Sequence, residues 1–262
     1  MSLSPRLIAF DLDDTLAPSK SPINSRMAAL LVELLERVEV CVISGGQFSQ
    51  FKMQVVDMLP DLAPESAARL HLMPTCGTQY YRYDGGWKQV YAQNLTEDEK
   101  AQALSAVEQT ARSLGFWESD TWGPILEDRG SQITFSALGQ AAPVAEKQAW
   151  DPTGAKKNAL REAVQALLPQ LEVRSGGSTS VDITRRGIDK AYGITELSEL
   201  SGVPLSDMLF IGDRLDPEGN DYPVKALGVR THAVTSWHDT VDFLDKWIAE
   251  HADIRASLDR RR

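Results

Sequence analysis

Basic charge is in deficit. Over 262 residues, 27 Lys and Arg face 37 Asp and Glu, for a formal net charge of −10. A chain of that sign has no field for non-specific nucleic-acid or anionic-membrane binding, since both need a basic surface. Cysteine is nearly absent, with two residues, Cys41 and Cys76, in the apolar or tight contexts VEVCVIS and MPTCGTQ. Two thiols so placed read as reduced, buried residues rather than a disulfide framework. No run approaches the roughly 18 continuous apolar residues of a membrane span, and no leader-like pattern opens the chain. The expected location is the cytoplasm. Low-complexity segments and internal repeats are missing too.

What is present is an apolar run that ends in acid. Leu7-Ile8-Ala9-Phe10 leads into Asp11, Asp13 and Asp14 within RLIAFDLDDTLAPS. The apolar residues want burial, while clustered carboxylates repel one another and want water or a cation. Residues 6–12 read as a buried strand. NSRMAALLVELLERV follows with helical spacing and Asn24 or Ser25 as its N-cap. VEVCVIS, residues 38–44, is a second strand stopping at SGG, and a helix pattern runs from about Gln47 to Leu59. This β-α-β-α alternation predicts a parallel sheet covered by helices.

From about residue 70 the grammar changes. DGG between YYRY and WKQVY signals a hairpin, and Thr96 with Glu99 fits a capping box ahead of a helix that Gly115 ends. Strands are predicted at 124–128 and 131–136, a helix over GAKKNALREAVQALLP, and strands in LEVRSG and STSVDITRR. Residues 86–185 thus read as an antiparallel α+β insert. The α/β pattern returns with GIDKAYGITELSELSG, DMLFIGD, GVRTHAV and WHDTVDFLDKWIAEH, and RASLDRRR reads as a solvated tail. The expected domains are a discontinuous core, 1–85 and 186–262, and the insert, 86–185.

Two buried strands end in aspartate, at Asp11 and Asp213, and a third in Ser44. Ligands of open parallel sheets bind outside the carboxyl ends of the strands, so these three can converge although far apart in sequence. Converging carboxylates need a compensating cation, and Mg²⁺, a hard ion that keeps sites for water and phosphate, suits them. An Asp nucleophile suits phosphoryl transfer because an aspartyl-phosphate divides one hard displacement into two. Thr15, and backbone N–H groups of residues 12–15, can line an anion site. Ser44 with Gly45 and Gly46 offers a hydroxyl and exposed N–H groups, and Lys190 at a helix start offers an ammonium. Asp216, Asn220 and Asp221 in GDRLDPEGND could hold a metal or its waters. Each piece alone has a plainer reading, as a turn, a cap or a surface lysine. Their shared order and strand-end placement argue for a site.

DLDDT, VISGG, Lys190 and IGDRLDPEGND together resemble the four motifs of the haloacid dehalogenase superfamily, and an insert after the second motif resembles its type IIB cap. The fold so implied is α/β, a Rossmann-like parallel-sheet core with an inserted α+β cap. Within the superfamily, ILEDRGSQITFSALG, SGGSTSVDI, GIDK and GDRLDPEGNDYPV are similar to the α-phosphomannomutases, with the sucrose-phosphate phosphatases as a cousin family. The resemblance implies Asp11 as nucleophile and metal ligand, Asp13 as general acid/base that gives the metal its backbone carbonyl, and Asp213 as a further metal ligand. It implies Thr15, Ser44, Gly45 and Lys190 around the transferring phosphate, and Arg129, Ser180 and Asp182 as cap contacts to the substrate. The cofactor would be Mg²⁺ and the partner a small phosphorylated molecule, a sugar phosphate. No feature specifies an oligomer.

Two departures favour hydrolysis over mutase chemistry. Gln140 and Lys147 stand where the mutases would place arginines on a distal phosphate, and Lys is a point charge rather than a bidentate fork. Ser44 also stands where Gly is expected in a mutase. The expectation from sequence is therefore a sugar-phosphate phosphatase, with a phosphosugar mutase as the alternative.

Overall fold

The computed structural model describes residues 4–60, 62–177 and 179–252. The predicted tail at 255–262 and Ser178 lie outside the described residues. In chain order the first elements are β1 (Leu7–Phe10), α1 (Ser25–Leu35), β2 (Glu39–Ile43), α2 (Phe48–Gln54), α3 (Pro64–Ala67), β3 (Leu70–Met73), β4 (Gln79–Tyr83) and β5 (Trp87–Ala92). The middle of the chain forms α4 (Glu97–Ser113), β6 (Leu126–Asp128), β7 (Ile133–Ser136), α5 (Val144–Trp150), α6 (Ala155–Leu167), β8 (Leu171–Ser175) and β9 (Ser180–Arg185). It closes with α7 (Lys190–Ser201), β10 (Met208–Gly212), α8 (Tyr222–Ala226), β11 (Arg230–Ala233) and α9 (Trp237–Glu250).

Two compact units result, Met1–Tyr91 with Asp189–Arg262, and Ala92–Ile188. The first is built on a seven-stranded sheet in the order β11-β10-β1-β2-β3-β4-β5. Its strands from β11 to β3 run parallel, and β4 turns antiparallel to β3. Strand side chains alternate between faces, and the central strands supply an apolar set to each. Ile8, Phe10, Val40 and Val42 pack with α1, with Phe51 of α2 and with Leu244, Trp247 and Ile248 of α9. Leu7, Ala9, Cys41 and Ile43 pack on the other face with Ile194 and Leu197 of α7 and Val224 of α8. A fully buried Leu, Ile or Phe side chain contributes about 1.5–3 kcal/mol, so burial on both faces explains why these strands read as continuous apolar runs.

The insert begins later than the expected residue 86. At Asp84–Gly86 the chain reverses tightly, Asp84 N donating to Gly86 O at 2.9 Å, and β5 returns as the edge strand of the first unit's sheet. The helix expected over 47–59 is also shorter. It stops at Gln54, whose carbonyl accepts from Ile23 N at 2.9 Å instead of continuing the ladder, and a 3₁₀ turn covers Val56–Met58. The sequence reading missed α5, a short helix that starts directly after Pro143.

The second unit is a four-stranded antiparallel sheet, order β6-β7-β9-β8. Ile133, Phe135, Val173, Val181 and Ile183 bury one face against Ala103 and Val107 of α4 and Leu160 and Val164 of α6. The capping box forms as expected: Thr96 Oγ1 accepts from Glu99 N, and Glu99 Oε2 accepts from Thr96 N. The opposite face is polar, with Thr134 opposite Asp182 and Ser136 opposite Ser180 in register. No helix among the described residues is long and apolar enough to cross a membrane.

Candidate active site

Three neighbouring strands, β10, β1 and β2, deliver polar residues to one sheet edge. Asp11 follows Phe10, Ser44 follows Ile43 and Asp213 follows Gly212, and the parallel register aligns those strand ends. From β1 the chain runs on to β2 on one side, while β10 on its other side runs on to β11, so the order of connection reverses between β1 and β10, which is the switch-point crevice of an open α/β sheet. Asp11 N donates to Ile211 O at 3.0 Å, extending the ladder by one residue and fixing the carboxylate at its end.

Carboxylate oxygens of Asp11, Asp213 and Asp221 lie within 4.8 Å of one another. The ammonium of Lys190, at the first position of α7, is 2.5 Å from Asp11 Oδ1 and 2.5 Å from Asp221 Oδ1. Lys190 is 1% exposed and Asp221 is fully buried. Asp221 Oδ2 also accepts from Arg214 N at 3.1 Å. Thr15 Oγ1 donates to Asp213 Oδ1 at 3.4 Å.

Burial sets the electrostatics. It pushes the Asp11 carboxyl well above the usual carboxylate range, with Lys190 pulling back and Asp221 and Asp213 adding to the rise. Asp213 is raised for the same reason, burial first and then the Asp221 charge. Burial alone would lower Lys190, but its two carboxylate partners hold it above the ordinary lysine value. Three crowded carboxylates against one ammonium leave an excess of negative charge, and oxygen-only donors of this kind suit a hard divalent cation.

The carboxylate of Asp13 is not in that cluster. Its Oδ1 accepts from Lys20 N at 2.7 Å and from Gln54 Nε2 at 3.2 Å. Its Oδ2 faces Lys20 Nζ at 3.2 Å and accepts from Gln50 Nε2 at 3.5 Å. Burial would raise Asp13, yet the Lys20 charge and these hydrogen bonds hold it below the ordinary value. The two carboxylates of DLD therefore sit in opposite environments, Asp11 raised by burial and Asp13 lowered by Lys20 and the amide donors.

Ser44 is buried, with Gly46 N donating to its Oγ at 3.3 Å. The loop it opens is held by the next strand end, where Cys76 N donates to Ser44 O and Thr75 N to Gly46 O, both at 2.9 Å. Thr75, Cys76 and Gly77 all take positive φ there.

In the second unit, Asp182 Oδ1 accepts from Thr134 Oγ1 at 2.7 Å, and the Ser136 and Ser180 hydroxyls meet at 3.1 Å. Gln140 Nε2 donates to Ser136 Oγ at 2.5 Å, and Lys147 Nζ to the Gln140 carbonyl at 2.9 Å. Arg129 has a side chain only 5% exposed and is ion-paired with Glu127 at 2.6 Å.

Of the expected residues, the structure brings together Asp11, Asp213, Lys190 and Thr15. The expected metal set is the Asp11 and Asp213 carboxylates with the backbone carbonyl of Asp13; the carboxylate cluster joins the first two and adds Asp221. Sequence reasoning named Asp221 as one of three candidates but missed its pairing with Lys190, and it missed Gln50, Gln54 and Lys20 around Asp13 altogether. The i, i+4 spacing of Gln50 and Gln54, directly after SGG, was the available signal.

A family model described as eukaryotic phosphomannomutase matches residues 27–250, a span that takes in Ser44, Lys190, Asp213 and Asp221. Human phosphomannomutase 1 is 26% identical over 243 residues, covering 90% of this chain and 89% of the human protein. The phosphomannomutase of Saccharomyces cerevisiae is 26% identical over 253 residues, covering 91% and 92%. Among solved structures, a haloacid dehalogenase-like hydrolase from Bacteroides thetaiotaomicron superposes with a TM-score of 0.58 at 16% identity, covering 93% of this chain and 99% of that one. That last likeness concerns the fold.

Proposed function

This chain belongs to the eukaryotic phosphomannomutase family of the haloacid dehalogenase superfamily, and from that membership we propose that it is a phosphosugar mutase working through an aspartyl-phosphate. The observation that carries the reading is the buried cluster of Asp11, Asp213 and Asp221 closed by Lys190, within a chain matched over most of its length by the mutase family. Hydrolysis, which the sequence placed first, becomes the second reading, since every named relative reported above at the sequence level is a phosphomannomutase.

In the proposed reaction an Asp11 oxygen attacks phosphorus and the ester P–O bond breaks. The leaving sugar oxygen takes a proton from Asp13. In the mutase cycle the donor ester is that of a hexose 1,6-bisphosphate, and the phosphoryl group passes from Asp11 to the free hydroxyl of a hexose monophosphate, whose proton goes to Asp13. Lys190 and the Ser44 loop would hold the non-bridging oxygens. Asp11, Asp213 and the backbone carbonyl of Asp13 would hold Mg²⁺, with Asp221 beside them, and the ion would neutralise charge on the transferring group. The polar face of the second unit's sheet, with Arg129, Ser180 and Asp182, is the proposed reader of the sugar.

One set of observations favours hydrolysis as a second reading. Ser44 supplies a hydroxyl where the resemblance led us to expect Gly, and Arg129 is neutralised by Glu127. A polar face with little net positive charge is a weak clamp for a second phosphate. ³¹P NMR with Mg²⁺ and mannose 1-phosphate separates the readings. A 6-phosphate resonance that needs a hexose 1,6-bisphosphate activator supports the mutase. Inorganic phosphate without activator supports the hydrolase. Asp11→Asn abolishes either, and wild-type-like turnover in that variant would overturn both.

A further inference from the structure

We propose that Gln54, with Gln50 one turn before it, is the positioning residue that aims the Asp13 carboxylate; the inference rests on the phosphoryl-transfer reading above. Gln54 is polar, at the end of α2, and fully buried. A buried amide costs about 1–3 kcal/mol where it is not hydrogen-bonded; the Gln54 Oε1 has no partner among the described residues, so the bonds of its Nε2 define its role. Its Nε2 donates to two acceptors at once, Asp13 Oδ1 at 3.2 Å and the Ser21 carbonyl at 2.8 Å. Its backbone carbonyl accepts from Ile23 N. One residue thus ties the Asp13 carboxylate, at the start of the Asp13–Ile23 loop, to Ser21 and Ile23 at its far end.

The loop needs such a tie. Asp14 and Lys20 both take positive φ, at 63° and 59°, a conformation that side chains other than Gly adopt at a cost. Gln50 completes the clasp on the other oxygen. Its Oε1 accepts from Lys20 Nζ at 3.3 Å while its Nε2 reaches Asp13 Oδ2 at 3.5 Å. Gly46 makes room for it: a Cβ there would stand 2.4 Å from Gln50 Oε1. Each Asp13 oxygen is therefore held by one glutamine amide and one group of Lys20.

This arrangement keeps the Asp13 side chain out of the Asp11, Asp213 and Asp221 cluster and leaves it as a separate proton carrier. When the ester P–O bond breaks, the electron pair stays on the sugar oxygen and the Asp13 proton moves to it. A misaimed carboxylate loses that transfer even though Asp11 can still attack. Positioned proton transfer contributes about 10²–10⁴-fold, so partial loss of aim should cost about tenfold.

The test is kcat/KM for Gln54→Leu and Gln50→Ala on hexose 1-phosphate, with hexose 1,6-bisphosphate present, and on 4-nitrophenyl phosphate, with Mg²⁺ and with melting temperatures recorded. The nitrophenolate leaves without a proton. The expected result for Gln54→Leu is a fall of about tenfold or more on the sugar phosphate against about threefold or less on the aryl ester, with KM changed by less than about twofold. Gln50→Ala, on a half-buried position, should show the same pattern more weakly and serves if the Leu variant does not fold. Equal losses on both esters would overturn the positioning role. Wild-type protein that turns over neither ester would instead overturn the phosphoryl-transfer reading.

Discussion

Lys190 and Asp221 form an ion pair at 2.5 Å with almost no exposure on either side. The same ammonium also holds Asp11 at 2.5 Å. Two carboxylates on one buried cation stand or fall with it. Lys190→Met would leave both acids buried and unpaired, and removing one partner of a buried pair costs about 3–5 kcal/mol. The variant is expected to lose phosphoryl transfer and to unfold at markedly lower urea, with the deficit shrinking as pH is lowered and Asp11, already raised by burial, takes a proton. Denaturation curves at two pH values, beside activity, check this. A variant as stable as wild type would show that Lys190 is not the counter-charge of the cluster.

The position of α7 rests on two glycines that touch. A Cβ on Gly193 would stand 2.5 Å from Ile43 Cδ1 and 2.6 Å from the Cys76 carbonyl, and a Cβ on Gly77 would stand 2.4 Å from Gly193 Cα. Gly193 lies three residues after Lys190, and Cys76 N holds the Ser44 carbonyl. Gly193→Ala therefore pushes the lysine helix away from the Ser44 loop. The expected outcome is a loss of about 1–3 kcal/mol from overpacking, read by urea denaturation, together with reduced activity. An Ala variant with wild-type turnover would mean the helix can shift without moving the ammonium.

Much of this architecture was legible in the residues, because buried parallel strands leave a mark that needs no context. LIAF, VCVI and MLFIG are apolar on both faces, and each ends in the polar residue that the sheet carries to its edge. Charge pairing was less legible. Asp221 is nine residues beyond Gly212, the end of the strand it serves, and only the turn after Asp213, with Asp221 N donating to Arg214 O at 3.2 Å, folds it back to Lys190. Gln54 reads as an ordinary surface glutamine until the loop from Asp13 closes over it. The β4–β5 hairpin was visible as a hairpin, but which sheet it joined depended on strand order, and strand order is a tertiary property.

The capping box at Thr96 was visible as T-x-x-E, and its two reciprocal bonds, at 3.2 and 2.7 Å, start a 17-residue helix. Thr96 is exposed and Glu99 is half-buried and held separately by Arg185, so the effect of removing the hydroxyl is local. Thr96→Ala is expected to cost about 1 kcal/mol, seen as a lower urea midpoint with an unchanged slope. Activity at 25 °C should hold. A loss several times larger would mean that Thr96 has a packing role that its two bonds do not describe.

The last prediction concerns a buried histidine away from the acidic cluster. His71, on β3, has no side-chain exposure. Its Nδ1 meets Tyr80 Oη at 2.7 Å and its Nε2 meets Glu39 Oε2 at 2.8 Å. A neutral ring that accepts from the tyrosine hydroxyl and donates to the carboxylate satisfies all three groups. Burial lowers the pKa of His71 below the ordinary 6.5, although Glu39 pulls it upward. The sign follows by linkage: as pH falls through 6.5 the unfolded chain takes a proton that the folded chain refuses. Stability from this group is thus complete above that value and declines as pH drops toward the lower folded pKa. Asp11 and Asp213, raised in the folded state, pull the other way, so the comparison must be with a variant. His71→Gln keeps an amide between Tyr80 and Glu39 but does not titrate. Urea midpoints of wild type and His71→Gln from pH 7.5 to 5.0 should converge as pH falls, because only the wild type loses the histidine contribution. Midpoints that stay parallel across the range would show that His71 titrates alike in the folded and unfolded chains.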